Sequence, residues 1–309
     1  MPPDGIPGPV LVPGRCVILP LPEDRVAAGT SIATGFFTSA AAGVLGALLI
    51  APRAYLGRFF SAFHAGLALV FLMLVLSLRP AGTAEPAGAA QGGAAAGLAS
   101  LGAMLAAGLA VVFIAMLYRP GGRGGTGVIP GGRSAQHVLL LSCACAMSAA
   151  ALDGWSMAEG GGLGWAFGAN AVAAASVIGS VIVAMLLGHW YLVRLHLPES
   201  YLVRFALVLG AAIGGRTVLL VAGLLAYGAA SPEGLGAFLR GVAVDRGLFF
   251  WQRVLFGIVA PGVLAIMTYQ SARIRATMSA TGILYIAVIF VLIGEFLARY
   301  LVVVGAGPM

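Results

Sequence analysis

The residues best able to do chemistry in this chain are charged side chains within long apolar runs. Arg216 lies midway along ALVLGAAIGGRTVLLVAGLL, and Glu295 and Arg299 lie four residues apart in VLIGEFLARYL. A charged residue at membrane depth costs about 3 kcal/mol or more, so each is a functional candidate by default. The spacing of four places Glu295 and Arg299 on one face of a helix.

Other polar residues are predicted in the same half of the bundle, where further apolar segments begin or end. We expect one polar cluster, with Glu295, Arg216 and Arg299 as its reactive groups and Gln252, Arg253 and Asp153 as its ligand-binding groups. An acid beside an arginine can hold a polar headgroup or exchange protons. The alternative is an internal salt bridge, of Glu295 with Arg216 or Arg299, that only fixes the register of the helices.

Two histidines form a second candidate site. His64 and His189 lie on different apolar segments, at similar predicted depth near the opposite face of the membrane. Two such imidazoles could ligate one haem b axially. The chain has three cysteines but no CxxCH or CxxC motif, so we expect neither covalent haem nor a metal site.

The amino-acid composition indicates that these residues lie in a lipid environment. Of 309 residues, 61% are hydrophobic and 9% are charged. An ordinary soluble domain has about 25% charged residues, so the composition excludes a soluble globular protein, a disordered chain and a nucleic-acid binder. The expected partner is the lipid bilayer, and the net charge of +7 is explained by arginines in loops rather than by nucleic-acid binding.

Eight apolar segments are long enough to cross a bilayer as helices. They cover about 27–50, 59–78, 96–118, 137–155, 164–193, 202–228, 248–269 and 279–304. The sequence therefore predicts an all-α, polytopic membrane bundle of about eight transmembrane helices. Residues 1–26 are predicted to be an irregular Pro-rich tail, and 27–309 a single transmembrane domain. Pro261 should kink the seventh helix, and Gly210 and Gly214 should allow a close helix contact beside Arg216.

The arginines predict the orientation of the bundle. The loops after the odd-numbered segments contain Arg53, Arg58, Arg119, Arg123, Arg133, Arg194, Arg204, Arg273 and Arg275. The opposite loops contain Arg79, Arg240 and Arg246. By the positive-inside rule, the first set lies in the cytoplasm. We expect a bacterial inner (cytoplasmic) membrane protein with both termini outside and the polar cluster in the outer half.

Two stretches carry resemblances to known proteins. MLLGHWYLV (185–193) with RIRATMSATGILYIAVIFVLIGEFLARYL (273–301) resembles a group of bacterial polytopic membrane proteins that share an LGHWYL motif. GEFLARYLVVVGAG (294–307) resembles the last helix of NrfD/polysulfide-reductase-type membrane subunits. That second resemblance implies a quinone-reactive anchor with redox partner subunits, and it covers one helix only.

Three functions follow as hypotheses. The first is a membrane subunit of an electron-transfer complex, in which Arg216, Glu295 and Gln252 hydrogen-bond a quinone and carry its protons. The second is a b-type cytochrome with His64 and His189 as haem ligands. The third is a transporter in which Arg216 binds an anion or pairs with Glu295 during alternating access.

Overall fold

The computed structural model describes residues 11–12, 15–16, 22–79, 90–118, 132–157, 164–193, 197–230, 235–245 and 247–303. Near the N-terminus, strands β1 (Leu11–Val12) and β2 (Arg15–Cys16) pair antiparallel. Helices follow in the order α1 (Pro22–Ile50), α2 (Arg53–Leu78), α3 (Ala90–Leu117), α4 (Gly132–Trp155), α5 (Gly164–Val193), α6 (Ser200–Ala230), α7 (Leu235–Arg240), α8 (Gly247–Val254), α9 (Ala260–Arg273) and α10 (Thr277–Val303). Two π-helical segments, Gly241–Asp245 and Leu255–Val259, lie on either side of α8.

Eight spans in the described residues are long and apolar enough to cross a membrane. The seventh, Gly247–Arg273, consists of α8, the second π-helical segment and α9. The predicted all-α polytopic bundle is confirmed, and the chain is a multi-span integral membrane protein. Helix α1 begins at Pro22, before the predicted start at 27, because proline is tolerated in a first helical turn.

Helices α1 and α5 form the centre of the bundle. In their most apolar windows 72% and 78% of the residues are buried, against 28–44% in the other six spans. The two helices cross at Gly43 and Gly179, where an added Cβ on either glycine would collide with the backbone of the other helix. Small residues at this crossing let the backbones approach, as is usual between membrane helices. Helices α2, α4, α6 and α10 pack around this pair.

The seventh span departs from α-helical geometry just before Pro261. Its π-helical segment ends at Val259, and proline has no N–H to bond the carbonyl of Gly257 four residues earlier. Gly257 packs directly on the backbone of Gly294 in α10, with no room for a Cβ on either residue. A π-helical turn at a closely packed helix contact is often a functional feature.

The close contact predicted at Gly210 and Gly214 is wrong. Both glycines are exposed on α6, and an added Cβ would meet no described residue within 4 Å. Arg216 lies two residues beyond Gly214, so it projects from another face of the same helix. The glycines that make room beside the buried arginines are instead Gly35 on α1 and Gly257 in the second π-helical segment.

Candidate functional site

A carboxylate from α10 and two guanidinium groups from neighbouring spans form the first half of the site. Arg216 donates from Nε and Nη2 to the two oxygens of Glu295, at 3.2 and 2.9 Å. The Nη2 of Arg253 lies 3.8 Å from Glu295 Oε1. Glu295, Arg216 and Arg253 are 1%, 2% and 0% exposed. We call these three residues the Glu295 group.

A second carboxylate is held by two more arginines. Arg79, immediately after α2, donates to Asp153 Oδ1 on α4 at 2.6 Å. Arg299 Nη1 lies 4.0 Å from Asp153 Oδ2, and its Nη2 donates to Ser39 Oγ on α1 at 2.8 Å. Arg79 also donates to Ser100 Oγ on α3 at 2.6 Å. We call Asp153, Arg79 and Arg299 the Asp153 group.

The two groups together carry a positive excess. They hold four guanidinium groups and two carboxylates, all largely enclosed by the described helices. An ionised group taken out of water is stable only when it is paired and hydrogen-bonded. The guanidinium of Arg253 makes no hydrogen bond within the described residues, and Glu295 is its charge partner. The excess therefore favours an additional group of negative charge or high electron density.

Two glycines create the space that the arginines occupy. An added Cβ at Gly257 would collide with Nη1 of Arg253. An added Cβ at Gly35 on α1 would lie 2.9 Å from both Arg299 Nη1 and Asp153 Oδ2. The guanidinium groups of Arg253 and Arg299 thus occupy positions that a side chain at either glycine would obstruct.

A small cavity lies between the two groups. Arg216, Arg299 and Asn170 of α5 are its polar lining residues. Phe167, Ala171, Ala174 and Val302 make its apolar wall. Its volume is about 10 Å³, close to the least that holds one water molecule. Asn170 is 4% exposed, and neither its Nδ2 nor its Oδ1 has a hydrogen-bond partner in the described part of the chain.

The structure brings most of the predicted cluster together but divides it differently. Glu295 pairs with Arg216 and Arg253, whereas its helical neighbour Arg299 faces Asp153. Gln252 lies outside both groups. It borders an open, mostly apolar groove together with Trp251 and Leu255. Adjacent residues on a helix point in different directions, so burial of Arg253 turns Gln252 away from the site.

The two histidines have different surroundings. His64 is 1% exposed, its ring centroid lies 4.0 Å from that of Phe60, and its Nδ1 is 2.7 Å from the Phe60 carbonyl oxygen. Its Nε2 has no hydrogen-bond partner among the residues that the structure describes. His189 is exposed, and its Nδ1 lies 3.1 Å from the hydroxyl of Tyr285 on α10. Among the described residues, no group of three or more His, Cys, Asp or Glu side chains could hold a metal.

Sequence reasoning missed three contributors to the site. Arg79 was expected only to mark a loop, yet its side chain reaches Asp153. Ser39 holds Arg299, and Asn170 lines the cavity. Asn170 did carry a signal, since an amide within an apolar span is itself unusual. The serine carried none, because serines hydrogen-bond within their own helices throughout such proteins.

Neither the protein-family models nor the curated proteins contain a match to this chain. The LGHWYL and NrfD-type resemblances therefore stay predictions. What the fold and the site define is a class: a multi-span membrane bundle with an enclosed, arginine-rich polar site between its helices.

Proposed function

We propose that this protein binds an anion within its helix bundle and transports it across a bacterial inner membrane. The observation that carries the proposal is the charge of the enclosed site, in which four guanidinium groups face two carboxylates. A bound anion offsets that excess, whereas a neutral ligand does not.

The position of the site in the fold supports the same proposal. Its charged groups come from α4, α6, α8, α10 and the residue that follows α2, with Ser39 from α1 and Asn170 from α5. A site surrounded by so many spans can be opened by moving one part of the bundle against another, as alternating access requires. The π-helical segment beside Arg253 gives the seventh span an irregular point at this level.

The proposal is tested by binding and by flux. Purified protein is melted in detergent at constant ionic strength, with gluconate replaced by chloride, sulfate, phosphate or acetate. We expect at least one small anion to raise the melting temperature, because a ligand that binds only the folded state stabilises it. The same anion should then equilibrate faster into proteoliposomes than into protein-free vesicles. If no anion changes the melting temperature, the site is a structural ion-pair network and the proposal fails.

A matched pair of variants links the effect to the site. Arg216→Lys keeps the charge but loses the two-point contact with Glu295, because lysine offers a single ammonium group. We expect it to weaken both binding and flux. Arg275→Lys changes an arginine whose side chain is 80% exposed, and it should leave both unchanged. Equal behaviour of the two variants would contradict the assigned site.

The second candidate function is the quinone-binding subunit of an electron-transfer complex, with redox partner subunits. The observation that favours it is the lining of the cavity, where Arg216, Arg299 and Asn170 provide hydrogen-bond donors beside the ring of Phe167. Quinone carbonyls need such donors and the quinone ring needs an apolar wall, so this candidate requires the surrounding helices to move apart, because the cavity of about 10 Å³ is smaller than a quinone ring. Binding of ubiquinone or menaquinone analogues to the purified protein tests it. Unaltered binding to Glu295→Gln and Arg216→Ala variants would refute this site.

A further inference from the structure

The amide of Asn170 is the feature of the site that the ion pairs do not explain. It lies on α5, 4% exposed, with both polar atoms lacking hydrogen-bond partners in the described residues. It lines the cavity that Arg216 and Arg299 also line. A buried amide without partners destabilises a membrane protein, so the cavity has to supply one. Its Nδ2 group can donate hydrogen bonds to whatever occupies that space.

The size of the cavity limits the occupant. About 10 Å³ has room for the centre of roughly one water-sized particle. A monatomic halide is only slightly larger than a water molecule, so it needs far less expansion of this space than sulfate, phosphate or a carboxylate does. The occupants that fit best are therefore a water molecule and a monatomic anion. The two guanidinium groups and the positive excess around the cavity favour the anion.

We infer that the cavity between Asn170, Arg216 and Arg299 is a halide site, and that Asn170 donates to the bound ion. This inference rests on the proposed function and narrows its ligand to a monatomic monovalent anion. The amide gives a neutral donor, while the guanidinium groups provide the charge that holds the ion at membrane depth. The apolar wall of Phe167 and Ala171 leaves little hydration around it, which disfavours strongly hydrated anions.

The experiment uses the full-length protein in detergent and a series of halides. Chloride and bromide replace gluconate at constant ionic strength, while melting temperature and binding of radiolabelled chloride are measured. At a hundredfold excess of halide over its Kd, we expect the melting temperature to rise by about 5 °C. Asn170→Leu should lose the halide response. Ser180→Ala, a buried position on the same helix whose hydroxyl donates to Val177 O, should keep it.

Asn170→Asp is a second test, in which we expect the melting temperature without halide to rise. The aspartate carboxylate would place a negative charge beside the two arginines permanently and so replace the bound halide. We expect this variant to melt higher than the wild type in halide-free buffer and to show no response to chloride. If Asn170→Leu fails to fold, Asn170→Asp still gives this readout.

The outcomes separate this inference from the proposed function. Stabilisation by sulfate or phosphate but not by halides overturns the halide site and leaves the proposed function standing. No response to any anion overturns both and assigns the cavity to water. A halide response that persists in Asn170→Leu places the ion elsewhere and overturns the site described here.

Discussion

Replacing Glu295 by glutamine is the most direct test of how the site is held together. The carboxylate receives two hydrogen bonds from Arg216 and lies 3.8 Å from Arg253. Glutamine has nearly the same shape but no charge, so both guanidinium groups lose their counter-ion while the packing is kept. All three side chains are at least 98% enclosed, so water cannot compensate for the loss.

The size of the effect follows from the geometry. Two unit charges about 4 Å apart attract by about 4 kcal/mol at an effective dielectric constant of about 20. Removing one partner of a buried ion pair costs about 3–5 kcal/mol, because the remaining charge is left uncompensated. Since Glu295 serves two arginines, we expect a loss in that range. At roughly 2–4 °C per kcal/mol, the melting temperature falls by about 10 °C.

The assay is thermal unfolding of the purified protein in detergent, with Glu199→Gln as the matched control. Glu199 also pairs with an arginine, at 3.2 Å, but its partner Arg275 has a side chain that is 80% exposed. Exposed ion pairs contribute little, so this control should melt with the wild type. The same chemical change is thereby compared in an enclosed ion pair and in one that is open to solvent.

A double-mutant cycle tests whether Arg216 and Glu295 stabilise each other. Arg216→Gln combined with Glu295→Gln removes both ends of the pair, so we expect the double variant to lose about 2 kcal/mol less than the sum of the single variants. Additive losses would show that the two side chains do not stabilise each other. A loss for Glu295→Gln no larger than for Glu199→Gln would refute the claim that the pair is held in a low-dielectric interior.

Other predictions concern the packing, the histidines and the orientation of the bundle. Gly294→Ala should lower the melting temperature by several degrees because its methyl group would overlap the backbone of Gly257. Gly282→Ala on the same helix, where an added Cβ meets no described atom within 4 Å, should be neutral or slightly stabilising. Equal effects of the two substitutions would contradict the close contact. Ligation of haem b by His64 and His189 predicts a Soret band after haem-replete expression, and its absence rules that alternative out. Reporter fusions should place residue 126 in the cytoplasm and the C-terminus outside, so a cytoplasmic C-terminus would overturn the predicted topology.

The architecture was readable from the sequence because the bilayer imposes it. Only helices or closed barrels satisfy backbone hydrogen bonds in lipid, and the apolar runs have the length of helices. All eight predicted segments are present among the described spans. The same logic singled out Arg216 and Glu295, since a charge in such a run needs a partner.

The rotation of each helix about its own axis could not be predicted from the sequence. These spans are apolar on all sides, so no polar face indicates which side meets its neighbours. Glu295 therefore had two plausible partners, Arg216 and Arg299. Only the tertiary structure, in which α8 packs against α10 and the side chain of Arg216 reaches Glu295 from α6, selected Arg216 and Arg253. The wrong expectation for Gly210 has the same cause.

The sequence by itself determined that this is an eight-span membrane bundle and that a few charges lie where lipid should exclude them. The tertiary structure decided which charges meet, and that Asn170 and Arg79 join them. The physical reason is that the two effects act over different parts of the chain. Burial in lipid acts on each segment separately and depends only on its composition, whereas ion pairing needs atoms from several helices within about 4 Å of one another.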